Sequence, residues 1–319
     1  MTDIHKLSGG RTIAIVGAGL VGSGWAIVYA RAGLNVRMFD TNPEITRNAL
    51  PLIEAQLARL AHHGLVREDV ATILARIKPV FTLGEAIDNA FYVQESVLER
   101  VDVKRELMEA LDALASKDLV IGSSTSGIPG SAFAHDLTIS SRVLIVHPVN
   151  PPYLVPIVEL VPSPQTSEAT VTLAHDLMLA VGQSVVHVRK EVEGFVLNRL
   201  QAVLLREAWA LVQEGVATSE DIDKTVRDGL GWRWSFMGPF ETIDLNAPGG
   251  VADYAVRLGP LYQRIGASRQ HDAPWDAALI AQVESQRREY LAQEDLACRR
   301  AWRDERLMEF AAARLSRSS

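Results

Sequence analysis

Residues Thr12 to Ala30 form an uncharged stretch of nineteen bounded by Arg11 and Arg31. That length suits a membrane-spanning helix, which needs about 20 apolar residues. The stretch nevertheless opens on an alternating β-branched run, Thr12–Val16, and carries Gly17, Gly19, Gly22 and Gly24. A buried strand that breaks at a glycine turn and continues as a helix accounts for both features. In Gly17-Ala18-Gly19-Leu20-Val21-Gly22 the first glycine permits a tight turn and the second lets backbone approach a pyrophosphate. The third lets helix and strand pack closely, and the helix N-terminus faces the negative charge. Asp40 closes the next strand candidate about twenty residues on, where a carboxylate accepts hydrogen bonds from ribose hydroxyls and repels a 2′-phosphate. Arg37 precedes Asp40 by an odd number of strand positions and points to the other face. NAD is the expected cofactor.

The rest of the chain places this turn in a larger plan. At about 150 residues per domain, 319 residues make about two. Strand candidates Thr12–Val16, Asn35–Phe39, Ile77–Phe81, Ala90–Gln94, Leu119–Ser123, Val143–His147, Ile157–Val161 and Gln183–Val188 alternate with helical patterns such as Pro43–His63 and Val103–Ala115. Alternation of this kind predicts an α/β, Rossmann-type doubly wound and mostly parallel sheet over residues 1–190. After Glu193 the pattern turns helical: Phe195–Glu214 has apolar residues at helical spacing, Ser219 opens another helix, and helices continue to Arg314. Residues 191–319 are therefore expected to form an all-helical substrate and dimerisation domain. Phe195, Leu200, Leu204 and Trp209 are apolar helix positions that a thin helical layer cannot bury alone, which predicts a homodimer. Charge signs alternate along Arg287–Arg317, the pattern of a solvated helix face or an oligomer contact.

Composition excludes several classes. Lys and Arg number 32 against 39 Asp and Glu, a net charge of −7, which offers no footprint for nucleic acid or an anionic membrane. The single cysteine, Cys298, cannot form an internal disulfide. With no signal-peptide pattern, a cytoplasmic protein is expected. No metal is expected.

The chemistry gathers where two strand candidates meet. His147 and Glu159 stand at the ends of adjacent candidates, joined by a segment that Pro148, Pro151, Pro152 and Pro156 force to reverse. Glu159 lies in the otherwise apolar run Ile157–Val161. A buried carboxylate must be paired, and a histidine is a natural partner.

The motifs Ser124-Thr125-Ser126, His147-Pro148-Val149-Asn150-Pro151-Pro152, Glu159 and Gly194-Phe195-Val196-Leu197-Asn198-Arg199 occur in this order. With the glycine turn, they resemble the 3-hydroxyacyl-CoA dehydrogenase superfamily over about three quarters of the chain. The resemblance implies that His147 is the general base and Glu159 its orienting partner. Ser126, Asn150 and Asn198 match polar residues that hold substrate and base, while Glu99, Lys104 and Ser124 match residues lining the cofactor. Within the superfamily, His147 to Tyr153 and Gly238-Pro239-Phe240-Glu241-Thr242 resemble the lambda-crystallin group of L-gulonate 3-dehydrogenases. Arg233-Trp234-Ser235-Phe236-Met237-Gly238 leans toward L-carnitine dehydrogenases. Acyl-CoA members usually have a tyrosine–proline type segment where this chain has Trp232-Arg233-Trp234, a departure that argues against CoA thioesters.

The expected activity is thus NAD-dependent oxidation of the 3-hydroxyl of a small hydroxy acid. Arg233 either clamps the substrate carboxylate or stacks between Trp232 and Trp234. The alternatives are a 3-hydroxyacyl-CoA dehydrogenase or an L-carnitine dehydrogenase. From another class come a silent crystallin-like protein and an NAD sensor; neither requires the His147–Glu159 pair, which is intact.

Overall fold

The computed structural model describes residues 4–269 and 274–318. They form two compact units, one of the described residues up to Arg199 together with those from Ala301 onward, the other Leu200–Arg300.

The first unit is built on eight strands: β1 (Thr12–Val16), β2 (Val36–Phe39), β3 (Ile77–Pro79), β4 (Ala90–Glu95), β5 (Val120–Ser123), β6 (Val143–Pro148), β7 (Ile157–Pro162) and β8 (Ser184–His187). Their order in the sheet is β3-β2-β1-β4-β5-β6-β7-β8. The strands run parallel from β3 to β6; β7 is antiparallel to β6, and β8 is parallel to β7. This is the doubly wound Rossmann-type arrangement that the alternating pattern predicts. Its order reverses between β1 and β4, so the crevice beyond their carboxyl ends is where such sheets take ligands. β1 is central and buried on both faces, with Ile13, Ala14 and Ile15 all inaccessible, which explains its near-continuous apolar sequence.

Helices cover both faces. Helix Pro43–His62 begins where the Asn42 side chain accepts from the Glu44 amide and Pro43 takes the first position. It turns Thr46, Ala49, Ile53, Leu57 and Leu60, three or four residues apart, into the core.

The C-terminal segment differs from the sequence reading, which kept it with the second domain as a solvated or oligomeric face. Helix Leu296–Ser318 passes from the second unit into the first. There it buries Met308 fully in the core that contains Leu57 and Leu60. Glu305 accepts two hydrogen bonds from Arg59, at 3.0 and 2.7 Å, and lies 2.7 Å from His63 Nε2. Alternating charge signs record only the exposed side; Met308 and Leu307 pack into the core, and Glu305 and the Ala301 carbonyl accept from Arg59.

The second unit is helical among the described residues, with helices Ser219–Lys224, Pro239–Leu245, Gly250–Ala267 and Ala277–Tyr290. Thr218, not Ser219, caps the first of these, accepting from the Asp221 amide at 3.2 Å. No helix is long and apolar enough to cross a membrane among the described residues.

Candidate active site

The glycine turn sits between the ends of β1 and β4. Gly17 has φ +98°, and a Cβ there would collide with the Ser96 carbonyl oxygen. A Cβ on Gly22 would collide with the Gly17 carbonyl oxygen, so helix Leu20–Arg31 can approach the turn only because that residue is glycine. A Cβ on Gly19 would meet no protein atom within 4 Å, and no side chain caps this helix. Its first amides are left for an anion. Leu20, at the helix start, is exposed, and Val21 half-buried.

Asp40 follows β2 and accepts from the Ala18 amide through Oδ2 and from the Asn42 amide through Oδ1, both at 2.9 Å. A carboxylate has about four acceptor positions, so both oxygens retain capacity for ribose hydroxyls. Arg37 is turned away as expected, donating to the Glu85 and Asp88 carbonyls and to the Asp88 carboxylate. These residues fit a dinucleotide, with the pyrophosphate at the glycine turn and the ribose at Asp40.

At the other end of the crevice, His147 on β6 and Glu159 on β7 are direct cross-strand partners. Both are buried, and His147 Nδ1 lies 2.8 Å from Glu159 Oε2. The other Glu159 oxygen accepts from the Val196 and Leu197 amides at 2.9 Å each. These amides lead into helix Leu197–Gln213. Burial pushes the Glu159 carboxyl up, but the histidine and the two amides outweigh it and hold the group below the usual carboxylate range. An ionised carboxylate only accepts, so Nδ1 carries the proton in the neutral ring and Nε2 keeps its lone pair.

Phe195 corrects the sequence reading, which began the helix there and set it on an apolar helix face. It precedes the helix with φ +52°, is fully buried in the first unit, and packs its ring 5.6 Å from the imidazole. A left-handed conformation costs a non-glycine residue about 1–2 kcal/mol. Here it aims the next two amides at Glu159 while the ring walls His147. A periodicity count cannot reveal this, because Phe195 also falls in phase with the helix that follows.

The segment after β5 is tied to the same cluster. Asn198 donates to the Ser126 carbonyl at 2.6 Å. Glu99 Oε1 accepts from the Thr125 hydroxyl (2.6 Å), the Ser126 amide (2.8 Å) and hydroxyl (3.2 Å) and the Gly127 amide (3.2 Å). Burial opposes the charge on Glu99, yet these donors and the Lys104 ammonium, 3.4 Å away, keep its carboxyl below the ordinary range. Lys104 is 1% accessible and donates to both oxygens of Glu95, at 2.9 and 3.1 Å. Sequence reasoning missed Glu95, which follows the apolar run Ala90-Phe91-Tyr92-Val93 after Gln94 and does not interrupt it as Glu159 does. Ser124 stands behind the crevice, its hydroxyl accepting from Trp25 Nε1 and Gln94 Nε2 and paired with the Ser96 hydroxyl. Asn150 is exposed two residues past β6 and is not drawn into these hydrogen bonds. Arg233 belongs to the second unit, exposed on the short helix Gly231–Trp234 between exposed Trp232 and Trp234.

Comparison with known proteins shows the family. Residues 12–192 match the model of the 3-hydroxyacyl-CoA dehydrogenase NAD-binding domain, and residues 194–289 that of the 3-hydroxyacyl-CoA dehydrogenase C-terminal domain. Lambda-crystallin of Oryctolagus cuniculus is 38% identical over 303 residues, covering 94% of this chain and 95% of that protein. L-carnitine dehydrogenase of Streptomyces coelicolor is 39% identical over 251 residues, 78% of each chain. A similar solved structure is the NAD-dependent dismutase 5-formyl-3-hydroxy-2-methylpyridine 4-carboxylic acid 5-dehydrogenase. It has a TM-score of 0.80 at 26% identity, covering 95% of this chain and 97% of its own.

Proposed function

The chain belongs to the 3-hydroxyacyl-CoA dehydrogenase family and is an NAD-dependent dehydrogenase. From that premise we propose that it oxidises the 3-hydroxyl of a small carboxylate-bearing acid, with His147 as the base. The observation that carries this is the buried 2.8 Å contact of His147 with a Glu159 whose second oxygen is held by two backbone amides. The glycine turn and Asp40 would hold NAD, which would supply a hydride acceptor for the carbon that bears the hydroxyl. Nε2 of His147 takes the hydroxyl proton, so little charge accumulates on oxygen. Glu159 holds the tautomer that leaves Nε2 free and stabilises the imidazolium as it forms. Ser126 and Asn198 orient the reacting oxygen as fixed dipoles.

The substrate class rests on two similar proteins named for carboxylates, L-carnitine and a pyridine carboxylic acid, and on the Trp232-Arg233-Trp234 segment. Arg233 is assigned to the substrate carboxylate on its forked guanidinium chemistry. L-gulonate and L-carnitine are the first acids to try, and a 3-hydroxyacyl-CoA is the second reading, favoured by the matching family models. The test is NAD reduction with L-gulonate, L-carnitine and 3-hydroxybutyrate, and NADH oxidation with acetoacetyl-CoA. Turnover of the thioester alone overturns the small-acid assignment. Greater activity with NADP than with NAD overturns the role given to Asp40.

A homodimer and a cytoplasmic site belong to the same reading. The dimer is supported by large apolar side chains left exposed in the second unit, Trp232, Phe236, Phe240 and Val256 among them. Of the positions first expected to form it, Leu200 and Leu204 are exposed, whereas Phe195 is buried and Trp209 stacks on Trp275 at 4.2 Å. A monomeric mass at micromolar concentration refutes the dimer. The cytoplasmic site is supported by the single cysteine, which is exposed.

A further inference from the structure

A chain of polar side chains runs from the core behind β4 to the crevice, and the chemistry above gives it no step. Tyr29 and Tyr92 are fully buried, and both phenol oxygens lie 2.9 Å from Gln94 Oε1. Burial pushes both phenols up from the ordinary tyrosine range, so each keeps its proton. Two phenols can pass at most one proton between them. The amide oxygen must therefore face them, which turns Nε2 to the Ser124 hydroxyl, 2.8 Å away. Trp25 Nε1, which can only donate, reaches the same hydroxyl at 3.2 Å. With both lone pairs of Ser124 filled, its proton goes to the remaining neighbour, the Ser96 hydroxyl at 2.9 Å. Ser96 thus accepts, and its own hydroxyl proton has no acceptor among the described residues.

The sheet order says what that proton faces. Asp40 follows β2 and the glycine turn follows β1, and the next strand in the sheet is β4. A dinucleotide with its adenosine ribose at Asp40 and its pyrophosphate at the turn has its nicotinamide half on the β4 side. Ser96 directly follows β4 and is half-buried. Its amide donates to the Val16 carbonyl at 2.7 Å, and its own carbonyl packs against Gly17. We propose that Ser96 binds the cofactor, donating its hydroxyl proton to an oxygen of the nicotinamide mononucleotide half, and that Ser124 is the positioning residue that turns this donor outward. The inference rests on the placement of the adenosine ribose at Asp40.

The test is titration of the parent, Ser96→Ala, Ser124→Ala and the double variant with NAD and, separately, with AMP, with melting temperatures alongside. Ser96→Ala should weaken NAD about 2–10-fold, the worth of one hydrogen bond. AMP binding should stay at the parent value, because AMP lacks the nicotinamide half. Ser124→Ala leaves the Ser96 proton without a fixed direction and should weaken NAD by a smaller factor. In the Ser96→Ala background the same change should add little, since Ser124 acts through Ser96. Unchanged NAD affinity in Ser96→Ala, or AMP weakened as much as NAD, overturns the proposed contact. Two results overturn the positioning role of Ser124: equal losses of NAD affinity with and without the Ser96 hydroxyl, or a lower melting temperature with NAD affinity kept. Asp40→Ala run alongside separates the two readings. If that variant binds AMP at parental strength the placement of the adenosine ribose is wrong, whereas the contrast between NAD and AMP in Ser96→Ala still decides the new contact.

Discussion

Two strands of the sheet carry a buried carboxylate near the crevice, Glu95 at the end of β4 and Glu159 on β7, and both are paired with a basic side chain. Burial and charge are alike; the difference lies in what the partner has left over. Lys104 donates to both Glu95 oxygens and lies 3.4 Å from Glu99, so this cation sits among carboxylates. His147 spends only Nδ1 on Glu159, and its second ring nitrogen remains able to take a proton. The proposed acid–base step needs the ring nitrogen that only the His147 pair leaves over.

Removing the open end of this comparison should have the largest effect. His147→Ala is expected to lower turnover on the order of 10²–10⁴-fold, the usual worth of a positioned general base. NAD affinity should stay near the parent value, because the glycine turn and Asp40 follow other strands, β1 and β2. Rapid-mixing measurement of hydride transfer, with NAD binding followed separately, checks both halves.

Changing the cofactor end is a smaller step. Asp40→Ala removes acceptors for the ribose and also the acceptor of the Ala18 amide. A hydrogen bond to a charged group is worth about 1.5–3 kcal/mol, so NAD affinity should fall roughly tenfold or more, and the preference over NADP should narrow. Titration with both nucleotides measures it. Arg233→Ala should cost a carboxylate substrate a similar factor, again about 1.5–3 kcal/mol per charge-assisted bond, and leave its methyl ester nearly unaffected. Equal losses for acid and ester would make Arg233 structural and bring thioesters forward.

How much of this was readable from sequence follows the same division. All eight strands were legible because apolar β-branched runs between turn residues are local signals, and the Glu159–His147 pair was legible because a charge in such a run demands a partner. Glu95 escaped because it ends its run rather than interrupting it, so it passes for a solvated terminus. Phe195 escaped because its conformation is set by contacts with β6 and β7, outside the reach of any helical period. Met308 escaped because the alternating charges of Arg287–Arg317 point to a solvated face and mask the short apolar stretch in which Leu307 packs beside it.

The smallest expected effect sharpens the comparison in a different observable, the acid limb of stability. In the folded protein Glu159 and Glu99 are held below the ordinary carboxylate value of 4.5. A group whose pKa is depressed on folding contributes its full share above the unfolded value, and loses it as pH falls through the folded one. Stability should therefore be level near neutrality and decline as the medium is acidified below about pH 4.5. Glu159→Gln cannot gain or lose a proton. It should lower stability near neutrality by losing charge-assisted bonds, yet show a shallower decline in acid, so that its melting curve and the parent's converge as pH falls. Glu99→Gln should behave in the same sense with a smaller amplitude, because its side chain is 43% accessible and water screens part of its interactions. Parallel curves for parent and Glu159→Gln from neutrality into acid would mean that the Glu159 carboxyl titrates alike folded and unfolded. The two amides and the imidazole would then not be holding a charge, and His147 would have no fixed tautomer.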